Sequence, residues 1–199
     1  MGKPERDIDG CRVSHQRLEQ AIAALTDEQV ARPSRLPDWS VGHVLAHIAR
    51  NADSVTRRLQ GAARGEIVEQ YPGGLPGRAA EIDAGASRSA AELIADVGTA
   101  NEALDAAIDA MPDAAWSNTT RNVRGVDQPA DRLIFGRWRE VEVHHVDLGL
   151  GYEPTQWPSA LVDAWLPRVL TTLPARTDPA QLLAWALRRG DAPDLSSGG

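Results

Sequence analysis

Apolar residues recur at intervals of three and four along most of this 199-residue chain, and this period is the feature that most limits its fold. One helix, predicted over about 89–110, is typical: it ends before Pro112, and its apolar face carries Leu93, Val97, Leu104 and Ile108. Strand-like alternation is scarce, whereas Ala, Leu, Glu and Arg, which suit a helical chain, are abundant. The sequence therefore predicts an all-α protein.

Three further long helices are predicted, over about 11–25, 40–61 and 130–148. Ser40 is a good N-cap for the second of these, and Gly149 is a natural left-handed residue after the third. The Gly- and Pro-rich stretch 64–88 lacks a clear period and predicts a long loop. Residues 112–130 predict another long connection, with at most a short hairpin. Four helices with two long connections favour a four-helix bundle over 1–150.

Residues 151–199 predict a short C-terminal helical segment that forms a second region of the chain. Two helices are expected there, and Asp178 followed by Pro179 is a typical start for the last one. Gly190 ends that helix, and the polar tail 191–199 has no apolar side chains that would hold it in a core.

Charge and composition limit the partners. The formal net charge is −7 and the pI is near 5.2, so no basic surface for nucleic acid is expected. No leader pattern and no apolar run of about 20 residues is seen, which predicts a cytoplasmic protein without a membrane span. Cys11, the only cysteine, cannot form an internal disulfide and is interpreted as an incidental thiol in a polar opening segment. We expect a monomer or a homodimer.

Two pairs of polar residues interrupt the apolar pattern at helical spacing. Glu140 and His144 are four residues apart and share a helix face, and His43 and His47 do so on the second helix. If both faces point into the bundle, imidazoles and a carboxylate converge, and a divalent cation offsets the cost of burying that charge. Two nitrogens and one oxygen form a typical catalytic zinc shell with an open position, although nickel or iron also suits related bundles.

Several neighbouring residues keep more than one interpretation. His15 is expected on the surface of the first helix, and His145, about 100° around the helix from His144, is expected to pack or face solvent. His43 is a fourth ligand, a partner of a ligand or a member of the first helical turn, and the last two are favoured. Asp147 either orients a ligand histidine or balances local positive charge. Trp39 is interpreted first as a hydrophobic contact before the helix and second as a platform for a ligand.

The segments LPDWSVGHVLAHIARNA and REVEVHHVDLG together resemble the N-terminal domain of mycothiol-dependent maleylpyruvate isomerase, in the DinB-like superfamily of metal-binding four-helix bundles. The resemblance covers about residues 10–150. It implies that His47, Glu140 and His144 ligate the metal, most suitably Zn²⁺. It further implies that the open position binds the thiol of mycothiol. The resulting thiolate adds to the cis double bond of maleylpyruvate, and rotation and expulsion of the thiol give the trans isomer; transfer of the thiol to an electrophile is the other outcome.

The chain departs from this family after residue 150, where the isomerase has a domain with several strands. The family has an Arg-Gly pair near its C-terminus whose arginine is linked to catalysis, and Arg189-Gly190 is the matching pair here. The resemblance thus implies that Arg189 is catalytic and binds an acidic substrate, whereas a helix-terminal charge is the structural alternative. The loop 71–78 is predicted to form part of the pocket wall.

The residue patterns and the family resemblance together leave three functions open. The first is a zinc- and mycothiol-dependent isomerase or S-transferase that acts on a small electrophilic or acidic substrate. The second is a non-catalytic metal-binding bundle for stress response or thiol sensing. The third is a structural dimer in which His and Glu are incidental. Bound metal separates the first two from the third.

Overall fold

The computed structural model describes residues 2–195 and divides the chain into two compact units, Met1–Gln156 and Trp157–Gly199. The described residues are mainly helical, which confirms the predicted all-α helical bundle. The domain division at residue 150 stays a prediction. No helix among the described residues is long and apolar enough to cross a membrane.

Over residues 2–156, the first unit contains six α-helices and one small hairpin. The helices are α1 (Glu5–Ile22), α2 (Asp27–Val30), α3 (Val41–Ala63), α4 (Gly74–Ala86), α5 (Ala90–Asp109) and α6 (Asp131–Asp147). Strands β1 (Thr119–Arg121) and β2 (Asp127–Pro129) pair antiparallel, in agreement with the long connection, with at most a short hairpin, that was predicted between α5 and α6. A 3₁₀ turn, Asp113–Ser117, precedes them.

Local capping explains why the long helices begin where they do. Ser40 accepts from the amide of His43 while the His43 ring accepts from the amide of Ser40, so the start of α3 is held from both sides. Ser89 and Glu92 form the same reciprocal arrangement at α5. Gly149 follows α6 with φ 70°, a left-handed conformation that suits glycine. These contacts confirm the predicted positions of α3, α5 and the end of α6.

The core lies between α1, α3, α5 and α6. Helix α3 packs against α5, α4 and α6, and α1 packs against α6 and α5. The interior side chains are mainly aliphatic, and the largest ones with less than 2% exposure include Trp116, Trp138, Leu18, Leu45, Leu59, Leu93 and Leu104. Burial of such side chains contributes about 1.5–3 kcal/mol each and is the main driving force of the bundle.

The prediction of a structureless loop over 64–88 is wrong, because α4 forms within it. The helix buries only Ile82 and Gly85, so its apolar period was too weak to recognise. Glycine allows α4 to lie close to α3: a Cβ added to Gly42 would meet the carbonyl oxygen of Ala86 at 2.5 Å. This close packing places the end of α4 beside the first turn of α3.

The first helix also differs from its prediction. It begins at Glu5 instead of residue 11, with Glu5 and Asp7 suiting the positive end of the helix dipole, and ends at Ile22. Its polar opening segment is not fully solvated, since Ile8 and Cys11 are buried. Burial raises the pKa of the Cys11 thiol to about 12, so that the thiol stays protonated at neutral pH.

The prediction that His15 lies on the surface is wrong. Its side chain is buried, and Nε2 accepts a hydrogen bond of 3.2 Å from Nε of Arg137 on α6. The Cys11 sulfur lies 3.5 Å from the same nitrogen. Desolvation, together with the cations Arg137 and Arg12, holds the pKa of His15 well below its ordinary value of 6.5. A neutral, buried imidazole is therefore part of the bundle interior.

The second unit contains α7 (Ser159–Thr172), a 3₁₀ turn at Leu173–Arg176, and α8 (Pro179–Ala186). These two helices were predicted, and Asp178 caps α8 by accepting from the amides of Ala180 and Gln181. The rings of Trp157 and Trp165 lie 6.1 Å apart. The last four residues of the predicted polar tail, 196–199, lie outside the described residues.

Because His15 is buried in its neutral form, we expect the free energy of unfolding to decrease in mild acid. The unfolded chain binds a proton at His15 below about pH 6.5 and the folded chain does not, so stability from this group falls by about 1.4 kcal/mol for each pH unit below that value. In His15→Gln, whose side-chain oxygen can still accept from Arg137, the free energy of unfolding in urea should fall less between about pH 7.5 and pH 5. Parallel pH dependences of the two proteins would show that His15 is not buried neutral.

Candidate metal centre

Two helices bring the three predicted ligands together in the first unit. His47 lies on α3, and Glu140 and His144 lie one turn apart on α6. The Nε2 atoms of His47 and His144 are 3.0 Å apart. The Oε2 atom of Glu140 lies 3.3 Å from Nε2 of His47 and 3.5 Å from Nε2 of His144. Within residues 2–195 this is the one group of three or more His, Cys, Asp or Glu side chains that could hold a metal ion.

The spacing of these atoms suits a small divalent ion. Zinc bonds to histidine nitrogen and carboxylate oxygen of about 2.0–2.1 Å in a tetrahedral shell imply about 3.3 Å between neighbouring ligand atoms. The three observed separations, 3.0, 3.3 and 3.5 Å, lie around this value. The donor set of two imidazoles and one carboxylate fits zinc and leaves at least one position of a tetrahedral shell for another ligand.

The protonation states of the three groups follow from burial and mutual contact. Burial lowers the pKa of His47 to about 4, although Glu140 acts in the opposite direction. Burial would also lower the pKa of His144, but hydrogen bonds to Asp147 and Glu140 outweigh it and raise the value to about 9. Burial disfavours ionised Glu140, yet the bonds from both histidines outweigh it, and its pKa lies well below the ordinary range. The site thus holds an ionised carboxylate and a neutral imidazole.

A carboxylate orients the second histidine. Nδ1 of His144 lies 2.8 Å from Oδ2 of Asp147, one helical turn further along α6. This contact favours the first of the two interpretations of Asp147, in which it orients a ligand. A carboxylate on Nδ1 keeps a proton there, so that loss of the other ring proton of His144 leaves the lone pair on Nε2, which faces the shared space and gains basicity.

Arg78 is a residue of this site whose role the sequence did not indicate. Its Nη2 lies 3.1 Å from Nδ1 of His47, and its guanidinium lies 6.0 Å from the Trp39 ring and 5.7 Å from the Tyr71 ring. Both separations are within the range of cation–π attraction. The stretch 71–78 was predicted as pocket wall, but Arg78 was not singled out because α4 was missed. The structure therefore adds a cation beside the triad.

The other histidines are sorted by their contacts. His43 bonds to Ser40 at the start of α3, and its ring lies 6.1 Å from that of Trp39, so it serves in the first turn of the helix. His145 is buried and stacks on Tyr152 at 4.1 Å, as predicted for a packed residue.

Arg189 lies in the second unit, exposed after α8, where Nη1 lies 3.2 Å from the carbonyl oxygen of Arg188.

Comparisons with known proteins identify the family and the fold of the chain. A family model described as the mycothiol maleylpyruvate isomerase N-terminal domain matches residues 11–149, which is more than half of the chain. The chain belongs to this family. A crystal structure of the mycothiol-dependent maleylpyruvate isomerase has the same fold, with a TM-score of 0.77 and 24% sequence identity over 80% of this chain.

A crystal structure of a histidine-to-alanine mutant of that isomerase gives the same values. This chain spans 66% of the length of the isomerase in these two crystal structures. No functionally curated sequence matches the chain. The likeness to solved structures thus concerns the fold, and the family rests on the match over residues 11–149.

The geometry predicts different results for neighbouring residues of α6. Glu140→Ala leaves two imidazoles and should weaken zinc binding by at least about 100-fold, since even outer partners of metal ligands contribute about 10–100-fold. His145→Ala should leave the affinity unchanged, because that ring stacks on Tyr152. Competition with a fluorescent zinc chelator measures both. If His145→Ala lost the metal and Glu140→Ala kept it, the wrong face of α6 would have been assigned.

Proposed function

We propose that the first unit binds one divalent metal, most suitably Zn²⁺, through His47, Glu140 and His144, and that it activates the thiol of mycothiol. The observation that carries the proposal is the convergence of two Nε2 atoms and one carboxylate oxygen at separations of 3.0–3.5 Å. The match of residues 11–149 to the mycothiol maleylpyruvate isomerase N-terminal domain supports the choice of thiol. The proposed activity is isomerisation of a small cis-unsaturated acid, such as maleylpyruvate, or S-transfer to an electrophile.

The metal would supply one kind of chemistry, a lowered pKa for a thiol at its open position, so that thiolate is available at neutral pH. The chain supplies the rest. Asp147 keeps the proton of His144 on Nδ1 and so presents Nε2. A groove of about 540 Å³ along residues 31–40, lined also by His43, offers room for the remainder of a small thiol. Trp39 contributes to this groove and contacts the His47 ring at 5.7 Å between centroids.

Arg78 is proposed to bind an anionic group of the substrate. A guanidinium only donates, so its present contact uses the lone pair of Nδ1 of His47. Coordination through Nε2 would place the ring proton on Nδ1, and Arg78 could no longer donate there. Its charge would then serve a substrate carboxylate, which a guanidinium binds by two parallel hydrogen bonds. Arg189 remains the second proposed cation for the same task.

A spectroscopic titration tests the thiol proposal. Cobalt-substituted protein should gain a sulfur-to-metal charge-transfer band when mycothiol is added, and binding should release a proton from the thiol. Glutathione and bacillithiol at equal concentration show whether the site selects among thiols. A charge-transfer band together with turnover of maleylpyruvate supports the enzyme, and a band without turnover of any electrophile supports the thiol-sensing alternative. An unchanged spectrum at saturating thiol would contradict thiol activation.

Charge-conserving substitutions test the two proposed cations. Arg78→Lys and Arg189→Lys should each retain metal and thiol binding but reduce kcat/KM for an acidic substrate by about 10-fold or more, because a charged hydrogen bond contributes about 1.5–3 kcal/mol. Arg188→Lys, one residue away, is the matched control for Arg189. Equal losses in Arg188→Lys and Arg189→Lys would assign Arg189 to the helix end, and full activity in Arg78→Lys would remove it from the substrate site.

A further inference from the structure

A buried arginine lies one helical turn before Glu140 on α6. The Arg137 side chain is 1% exposed and donates to four neutral groups. These are Nε2 of His15 at 3.2 Å, the carbonyl oxygen of Ile48 at 2.8 Å, Oδ1 of Asn51 at 2.9 Å and Oδ1 of Asn101 at 2.8 Å. A buried cation without a carboxylate among these partners is costly for stability, and each partner therefore matters.

Arg137 determines which way the Asn51 amide faces. A guanidinium has no acceptor, so the atom of Asn51 that meets Arg137 must be the oxygen. The amide nitrogen must then point the other way, where Nδ2 lies 3.5 Å from Oε2 of Glu140. The ionised carboxylate of Glu140 accepts this bond, and the orientation of the amide is fixed by chemistry at both ends.

We propose that Arg137 and Asn51 are positioning residues of the metal centre: the buried guanidinium locks the Asn51 amide, and the amide holds the Glu140 carboxylate in place for the metal. This inference rests on the proposed metal site. Two of the three triad residues would then have an outer partner in the metal-loaded site, Asp147 for His144 and Asn51 for Glu140. Outer partners of this kind contribute about 10–100-fold to metal affinity.

Asn101 on α5 offers a matched control. Its Oδ1 accepts from Arg137 at 2.8 Å, as Oδ1 of Asn51 does at 2.9 Å, and both side chains are buried. The Nδ2 atom of Asn101 donates to Glu19 at 2.7 Å and not to a residue of the triad. Loss of either asparagine therefore removes one acceptor from Arg137, but loss of Asn51 alone removes a donor from Glu140.

The experiment compares Asn51→Leu with Asn101→Leu, in which each side chain keeps a similar volume. Zinc affinity is measured by competition with a chelator, the d–d bands of cobalt-loaded protein report the ligand geometry, and urea unfolding of the metal-free proteins reports stability. Both variants should lose stability. Asn51→Leu should also weaken zinc binding by about 10–100-fold and shift the cobalt bands, whereas Asn101→Leu should retain wild-type affinity and bands.

Equal zinc affinities for the two variants, with unchanged cobalt bands, would overturn the inference and leave Asn51 as an acceptor for Arg137 only. If either leucine variant fails to fold, Asn51→Ala and Asn101→Ala provide the same comparison with less steric demand. Wild-type protein that binds neither zinc nor cobalt would contradict the proposed function itself. That outcome differs from failure of the inference, which requires a wild-type protein that binds zinc and two variants with equal zinc affinities.

Discussion

The packing of α3 against α6 is the contact on which the rest of the site depends. It places the Nε2 atoms of His47 and His144 only 3.0 Å apart, with the Glu140 carboxylate beside them. Hydrophobic burial alone would not select such an arrangement, because each polar group loses hydration when the helices meet. The bundle offsets this loss by hydrogen bonds to each of these three side chains, and a divalent cation would contribute further stabilisation to the folded state.

Helix α6 is unusual in that it has buried polar side chains on several faces. Glu140 and His144 turn toward α3, while Arg137 reaches into the interior between α1, α3 and α5. Glu142 is also buried, and its carboxylate accepts from Ser14 on α1 and from Tyr152. These groups form two hydrogen-bonded networks, one that joins Glu140 to Arg137 through Asn51 and one that joins Glu142 to Ser14 and Tyr152. Such networks specify one arrangement of helices more strictly than apolar contacts do.

The sequence predicted the helices whose ends carry local signals. Ser40 at the start of α3, Pro112 after α5 and Gly149 after α6 act within a few residues, and such signals can be recognised without tertiary information. Helix α4 has no comparable apolar period. It packs on α3 through a close approach of Gly42 to the Ala86 carbonyl group instead. This contact joins residues that are distant in sequence, and neither residue indicates it alone.

The site was only partly predictable, because some of its contacts are local and others join distant residues. The spacing of Glu140 and His144 indicates one shared face, but the choice of His47 as their partner came from the family resemblance. Burial of His15 depends on Arg137, which lies 122 positions further along the chain. The position of the Arg78 guanidinium beside the triad depends on α4 and on the rings of Trp39 and Tyr71. Neither the composition nor the apolar period indicates which distant residues meet, so the burial of His15 and the place of Arg78 could be recognised only in the three-dimensional structure.

Anomalous diffraction at the zinc absorption edge, from crystals of zinc-loaded protein, tests the central claim most directly. The account predicts one strong peak within about 2.0–2.2 Å of Nε2 of His47, Nε2 of His144 and a carboxylate oxygen of Glu140. Soaking with thiol should then add a sulfur atom at about 2.3 Å from the same peak. A peak at any other set of side chains, or density for a metal with all of its positions filled by protein, would contradict an open catalytic centre between α3 and α6.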